Sequence, residues 1–347
     1  MQTLNESTSV QQPKTYAQIV DEVSSWLPRN PAELDKAVTG AERDAILDAI
    51  RSLNDDARLG DSEAFYAQQR LLARIYGLHT LIPEGPSAEG SVLLHTITRL
   101  LEEATIEAED GYIEPGLIDQ APAEPAAYLS WLKKLAREHR VYKHPYYREF
   151  IRDEATSADL RTYVMQESVV DGRFDDLLAM MQVGTSGAAK MEIAQNFWDE
   201  MGNGKPEEVH THLFNKIFEV FEIPADELER SLTANALLSG NLAVLLCRYR
   251  QYYPEAVGFL GMTEWLVPDR FVQVVHAWER LDLPDIGIVY HRLHITVDSQ
   301  HAAGWFHNVV IPAAESEHMR RAIARGTLWR LNSSARYLDE RMPAVAV

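Results

Sequence analysis

Apolar residues in this chain return every three or four positions, the period of a helix with one buried face. Between 41 and 53 they fall at Ile46, Leu47, Ile50 and Leu53, one stripe of an amphipathic helix. Val92–Leu101 behaves in the same way, and the pattern predicts helix throughout from Tyr16 to about Asp110. A segment rich in proline, glycine and alanine, from Gly111 to Ala126, breaks the series. Beyond it the spacing predicts helices over about 126–140, 145–153, 157–183, 187–201, 206–222, 225–237, 240–252, 263–280, 283–307 and 313–330. No window combines sustained alternation with paired turn signals, and the valine-rich run Phe271–Val275 is too short to make a strand. The expectation is an all-α fold, with an N-terminal helical region over 1–125 and a core domain over 126–347. The first 14 or so residues are polar and are expected to be disordered.

Composition narrows the function classes. The chain has 347 residues, 33 Lys and Arg against 52 Asp and Glu, and a formal charge of −19. That balance argues against nucleic acid or an anionic membrane as the main partner, since both call for basic surface. The single cysteine, Cys247, lies in the apolar run Leu242–Cys247, which excludes an intrachain disulfide and reads as a small buried thiol. No apolar run reaches the roughly 18 residues of a membrane span. The N-terminus lacks the basic and apolar regions of a signal peptide, so the protein reads as cytoplasmic.

The candidate chemistry begins with His294-x3-Asp298-x2-His301. At about 100° per residue the three fall within a roughly 60° arc of one helix. Two imidazoles and a carboxylate on one face suit iron, manganese or zinc. His291 shares that arc, either as a hydrogen-bond partner of a ligand or as an edge histidine with no role. Upstream, Glu200 ends a helix that Gly202, Gly204 and Pro206 then interrupt, and Glu207 and His210 follow at i, i+3. That Glu-x-x-His spacing occurs in carboxylate-bridged di-metal bundles, although alone it is more often a solvated pair. Glu167 stands among apolar residues, where a carboxylate is either at a helix edge or buried with a partner. Glu167, Glu200, Glu207, His210, His294, Asp298 and His301 make four carboxylates and three imidazoles, more than one metal needs.

In that ordered series, residues 126 to about 330 resemble the heme-oxygenase-like di-iron oxidases and oxygenases. The resemblance implies a helical bundle of that type holding two Fe(II) ions, with O2 as co-substrate and no heme. It would place Glu167, His210 and His301 on one iron, His294, Asp298 and Glu207 on the other, and Glu200 as the bridge. Glu200 and Glu207 would also be the catalytic carboxylates. Glu207 is similar to the extra ligand of members that oxygenate nitrogen. The implied function is therefore N-oxygenation of an amine or guanidine-like nitrogen in a small metabolite, giving a hydroxylamine or nitro group in natural-product biosynthesis. An external electron donor and a homodimer are expected partners. Two other readings stand beside it: oxidative decarboxylation or C–C cleavage of an amino or fatty acid, and a non-catalytic helical metal-binding or interaction protein. The thiaminase-like relatives of the fold need a nucleophilic cysteine, and Cys247 has no basic partner nearby in sequence.

Overall fold

A computed structural model describes residues 14–343, and the expectation of disorder at the N-terminus lies outside them. Two compact units divide the chain, Met1–Ala104 and Thr105–Val347. The first unit contains α1 (Tyr16–Ser24), α2 (Pro31–Ala37), α3 (Gly40–Arg58), α4 (Ser62–Thr80) and the start of α5 (Val92–Gly111). Its helices start where capping residues satisfy the free N–H groups: Thr15 and Gln18 form a reciprocal capping box on α1, and Asp61 accepts from Glu63 and Ala64 at the head of α4. The stripe Ile46, Leu47, Ile50 and Leu53 is buried on α3, which packs against α4.

The second unit contains α6 (Pro125–Glu138), a π-helical stretch over Tyr146–Glu154, α7 (Ser157–Glu167), α8 (Phe174–Met181), α9 (Gly187–Glu200), α10 (His210–Val220), α11 (Ala225–Ser231), α12 (Ala234–Arg248), α13 (Tyr253–Arg280), α14 (Val289–Trp305), a π-helical turn over Phe306–Val310, α15 (Ile311–Ala313) and α16 (Glu317–Arg341). No strand occurs among the described residues. The fold is all-α.

At the centre of this unit lies α13, with α12, α14 and α16 packed around it. Pro254 through Glu264 are buried without a break, so the first half of α13 has no polar face. This explains why periodicity predicts the helix only from 263, ten residues late. A second difference is the expected single helix over 157–183. It divides after Glu167 and restarts at Phe174, with the turn Asp171–Arg173 between and Asp171 buried. The short turn puts an acidic side chain where a continuing helix would have carried it past the core.

Close approach fixes how α16 crosses α13. A Cβ at Gly258 would overlap the Ile323 carbonyl, and one at Gly326 would overlap the Glu255 carbonyl. Each helix thus offers a glycine where the other presents backbone. Further along α13, Pro268 has no N–H to donate to the Glu264 carbonyl four residues earlier, which loosens that turn of the ladder.

Candidate metal centre

Four helices supply the side chains of the candidate centre. Glu200 is the last residue of α9 and His210 the first of α10. The chain turns back between them through Gly202 at φ +61° and Asn203 at φ 53°. A Cβ at Gly202 would lie 2.5 Å from the Glu208 carbonyl carbon, so only glycine lets this segment fold onto itself. From α14 come His294, Asp298 and His301, all buried, and from α13 comes Glu264, also buried.

These residues form two trios, Glu200/His210/His294 and Glu264/Asp298/His301, and within each the donor atoms lie within 4.8 Å of one another. In the first, His210 Nδ1 is 2.9 Å from Glu200 Oε2 and His294 Nε2 is 3.8 Å from Glu200 Oε1. His294 Nδ1 donates to the Tyr290 carbonyl at 2.8 Å, leaving Nε2 as the inward lone pair. His210 Nδ1 has no aligned hydrogen bond despite its short approach to the carboxylate. Burial opposes ionisation of Glu200, but the contacts to His210 and His294 outweigh it and hold its pKa down to about 2.

In the second trio, His301 Nδ1 is 3.7 Å from Glu264 Oε2 and 4.0 Å from Asp298 Oδ1. Its other ring nitrogen, Nε2, lies 3.1 Å from Asp199 Oδ2 and donates to it, aiming Nδ1 inward. Burial favours the neutral form of His301, yet Glu264 and Asp199 raise its pKa to about 9. Burial and then Glu264 push the Asp298 carboxyl well above the usual carboxylate range. Glu264 Oε1 and His301 Nδ1 have no hydrogen-bond partner. Buried carboxylates that repel one another, with unpartnered donors converging on one point, are costly unless a cation sits among them. The residues therefore fit a metal ion at each trio, and imidazole with carboxylate suits iron. Glu200, Glu264, His294 and Asp298 also line one cavity, so both trios face the same space.

The structure distributes the sequence candidates differently from the expectation. His294 joins Glu200 and His210, whereas Asp298 and His301 face Glu264. Glu167 is outside both trios: its Oε1 accepts a hydrogen bond from the Tyr337 hydroxyl in a neighbouring chamber. Glu207 is exposed in the short turn Pro206–Glu208, between the helices that carry Glu200 and His210. His291 is fully buried among Phe271, Tyr163 and Tyr290, with no hydrogen bond from either ring nitrogen, so it neither orients a ligand nor sits at an edge. Sequence reasoning missed Glu264. The available signal was a carboxylate as the only charged residue in the apolar stretch 256–267. Cys247 is buried, and burial pushes its thiol up to about 12, which suits structural packing and not nucleophilic attack.

Residues 161–335, half of the chain, match the model of a family described as iron-containing redox enzymes. The chain belongs to this heme-oxygenase-like family, and its helical assembly is a bundle of that kind. Every donor of the two trios lies inside the matched residues. Comparison with curated proteins finds no match. Among the described residues, no helix is long and apolar enough to cross a membrane.

Proposed function

We propose that the protein is a non-heme di-iron, O2-dependent oxygenase that converts an amine or guanidine-like nitrogen of a small metabolite to a hydroxylamine or nitro group. The observation that carries the di-iron reading is the pair of buried trios sharing one cavity. Glu200, His210 and His294 would hold one ion, and Glu264, Asp298 and His301 the other. Their three carboxylates offset most of the charge of two ferrous ions, and the imidazoles complete the shells without adding charge. When bound, the irons supply O2 reduction and delivery of one oxygen atom, the second leaving as water with two electrons from an external donor.

The chain's own contribution is orientation, exclusion of water and charge. The Tyr290 carbonyl and Asp199 fix which nitrogen of His294 and His301 faces inward. Asp298 must release a proton when a cation enters, so metal uptake is coupled to proton release. Support for nitrogen as the reacting atom comes from Asp171, which lines the metal cavity. An acidic group there complements a cationic amine or guanidinium.

A second reading, oxidative decarboxylation or C–C cleavage of an amino or fatty acid, is favoured by one observation. Glu207, the extra donor that points to nitrogen in the sequence, is exposed and outside both trios. Anaerobic Fe(II) loading followed by isotopically labelled O2 and mass spectrometry tests both readings against a panel of amines and carboxylic acids. Label retained on nitrogen is the expected outcome. Release of CO2 or a shortened alkene moves the assignment to the second reading. Failure to bind iron or consume O2 would overturn both and leave a helical metal-binding or interaction protein.

A further inference from the structure

A second cavity adjoins the metal centre, and Asp171, Thr263, Val267 and Phe271 line both. Two arginines reach into it, Arg270 from α13 and Arg330 from α16, only 8% and 7% exposed. Arg270 Nη2 donates to Ser334 Oγ at 3.2 Å, and Arg330 Nη1 donates to Ser239 Oγ at 3.2 Å. Arg330 Nε has no partner. Neither guanidinium forms an ion pair with a carboxylate among the described residues. Aromatic faces lie against both, Tyr147 under Arg270 at 5.2 Å and Phe259 under Arg330 at 5.4 Å.

Two like charges buried near each other with only hydroxyl hydrogen-bond partners are expensive, and Glu167 and Asp171 offset that cost only in part. Burial, and next Arg270, pull the Arg330 guanidinium down to about 10. Glu167 and Asp171 on the same wall act the other way, but more weakly. Glu167 is engaged by the Tyr337 hydroxyl, which itself accepts from Arg341, and Asp171 Oδ2 is unpartnered. A planar anion between the two forks would satisfy the free N–H groups and the charge together.

We propose that Arg270 and Arg330 form a carboxylate-binding subsite that anchors the substrate of the metal centre. Arg270 follows Glu264 by six residues on α13, about 9 Å along a helix axis. The ligand is therefore a small carboxylate whose reacting group lies several bonds from the acid. With Asp171 lining both cavities, a zwitterion fits better than a dicarboxylate. The subsite deepens the oxygenase reading and rests on it for the chemistry after binding, but binding itself is measurable without turnover.

The test is calorimetric titration of the full-length protein, metal-free and separately Fe(II)-loaded under anaerobic conditions. The probes are linear carboxylates of two to eight carbons, each with and without a terminal amine, together with the matching primary amides and inorganic phosphate. Carboxylates are expected to bind, the amides at least tenfold more weakly, and phosphate more weakly than the best acid. Arg270→Gln and Arg330→Gln should each lose at least tenfold in carboxylate affinity with helical content unchanged. Ser239→Ala and Ser334→Ala, which leave both charges and release only the hydroxyls that aim them, should lose less and guard against a folding failure. The inference is overturned if no carboxylate binds, if amides or phosphate bind as well as the acids, or if the arginine variants bind unchanged. Carboxylate binding without any iron binding would instead sink the oxygenase reading and keep the subsite.

Discussion

The exchange of one carboxylate for another as a candidate ligand has direct consequences at the residue scale. Glu264 shares a trio with Asp298 and His301, whereas Glu167 is hydrogen-bonded to Tyr337. Glu264→Gln should therefore lower iron from two to one per chain by elemental analysis, and Glu167→Gln should leave it at two. The reverse result would restore Glu167 to the centre. His294, Asp298 and His301 were legible because their relation is local, fixed by the rotation of one helix. Glu264 was not, because the meeting of α13 with α14 is set by tertiary packing that no spacing within either helix encodes. Glu167 and Glu207 lie outside both trios for the same reason: helical position says which residues share a face, not what that face meets.

His291 carries a pH prediction. Burial, and then His294, lower its pKa from 6.5 to about 3. The unfolded chain takes up a proton below 6.5 that the folded chain refuses, so stability falls as pH drops from 6.5 toward 3. The loss is about 1.4 kcal/mol for each pH unit crossed. His291→Phe keeps a ring against Phe271 and should flatten this acid limb in urea titrations repeated between about pH 7 and pH 4. An unchanged slope would mean that other groups govern it.

At the scale of elements, the path from Glu200 to His210 is the least regular part of the centre. Gly202→Ala places a Cβ against the Glu208 carbonyl at a φ of +61°, costing about 1–3 kcal/mol in backbone strain before any clash is relieved. The expected outcome is a weakened first trio: Fe(II) titration should show one site close to wild type and one at least tenfold weaker. Equal weakening of both sites would show that the trios do not load independently. The helices themselves were readable where they kept a polar face, as in α3 and α14. The first half of α13 was not, since burial on every side erases the periodicity that marks a helix. The turn at Asp171–Arg173 was likewise hidden, its flanks continuing an acceptable helical pattern.

For the whole molecule, a formal charge of −19 makes self-repulsion a standing term in stability. Raising salt from about 10 to 150 mM shortens the screening length from about 30 to 8 Å, and the melting temperature should rise. Ferrous iron should raise it further at constant ionic strength, by about 5 °C once the free metal is about a hundredfold above its dissociation constant. Calorimetric scans with and without a chelator separate the two effects. Stabilisation by salt alone, with none from iron, would count against metal at both trios.

The crossing of α13 over α16 at Gly258 and Gly326 has a consequence for anyone mapping this protein by mutation. Neither glycine belongs to the metal trios or the arginine pair, yet they set how closely α16, and with it Arg330, approaches α13. A saturation library scored only for turnover would rank them beside the histidines as indispensable. Scored in parallel for the amount of folded protein in the cell, the two classes should part: glycine variants disappear from the pool, while ligand variants accumulate as intact, inert chains.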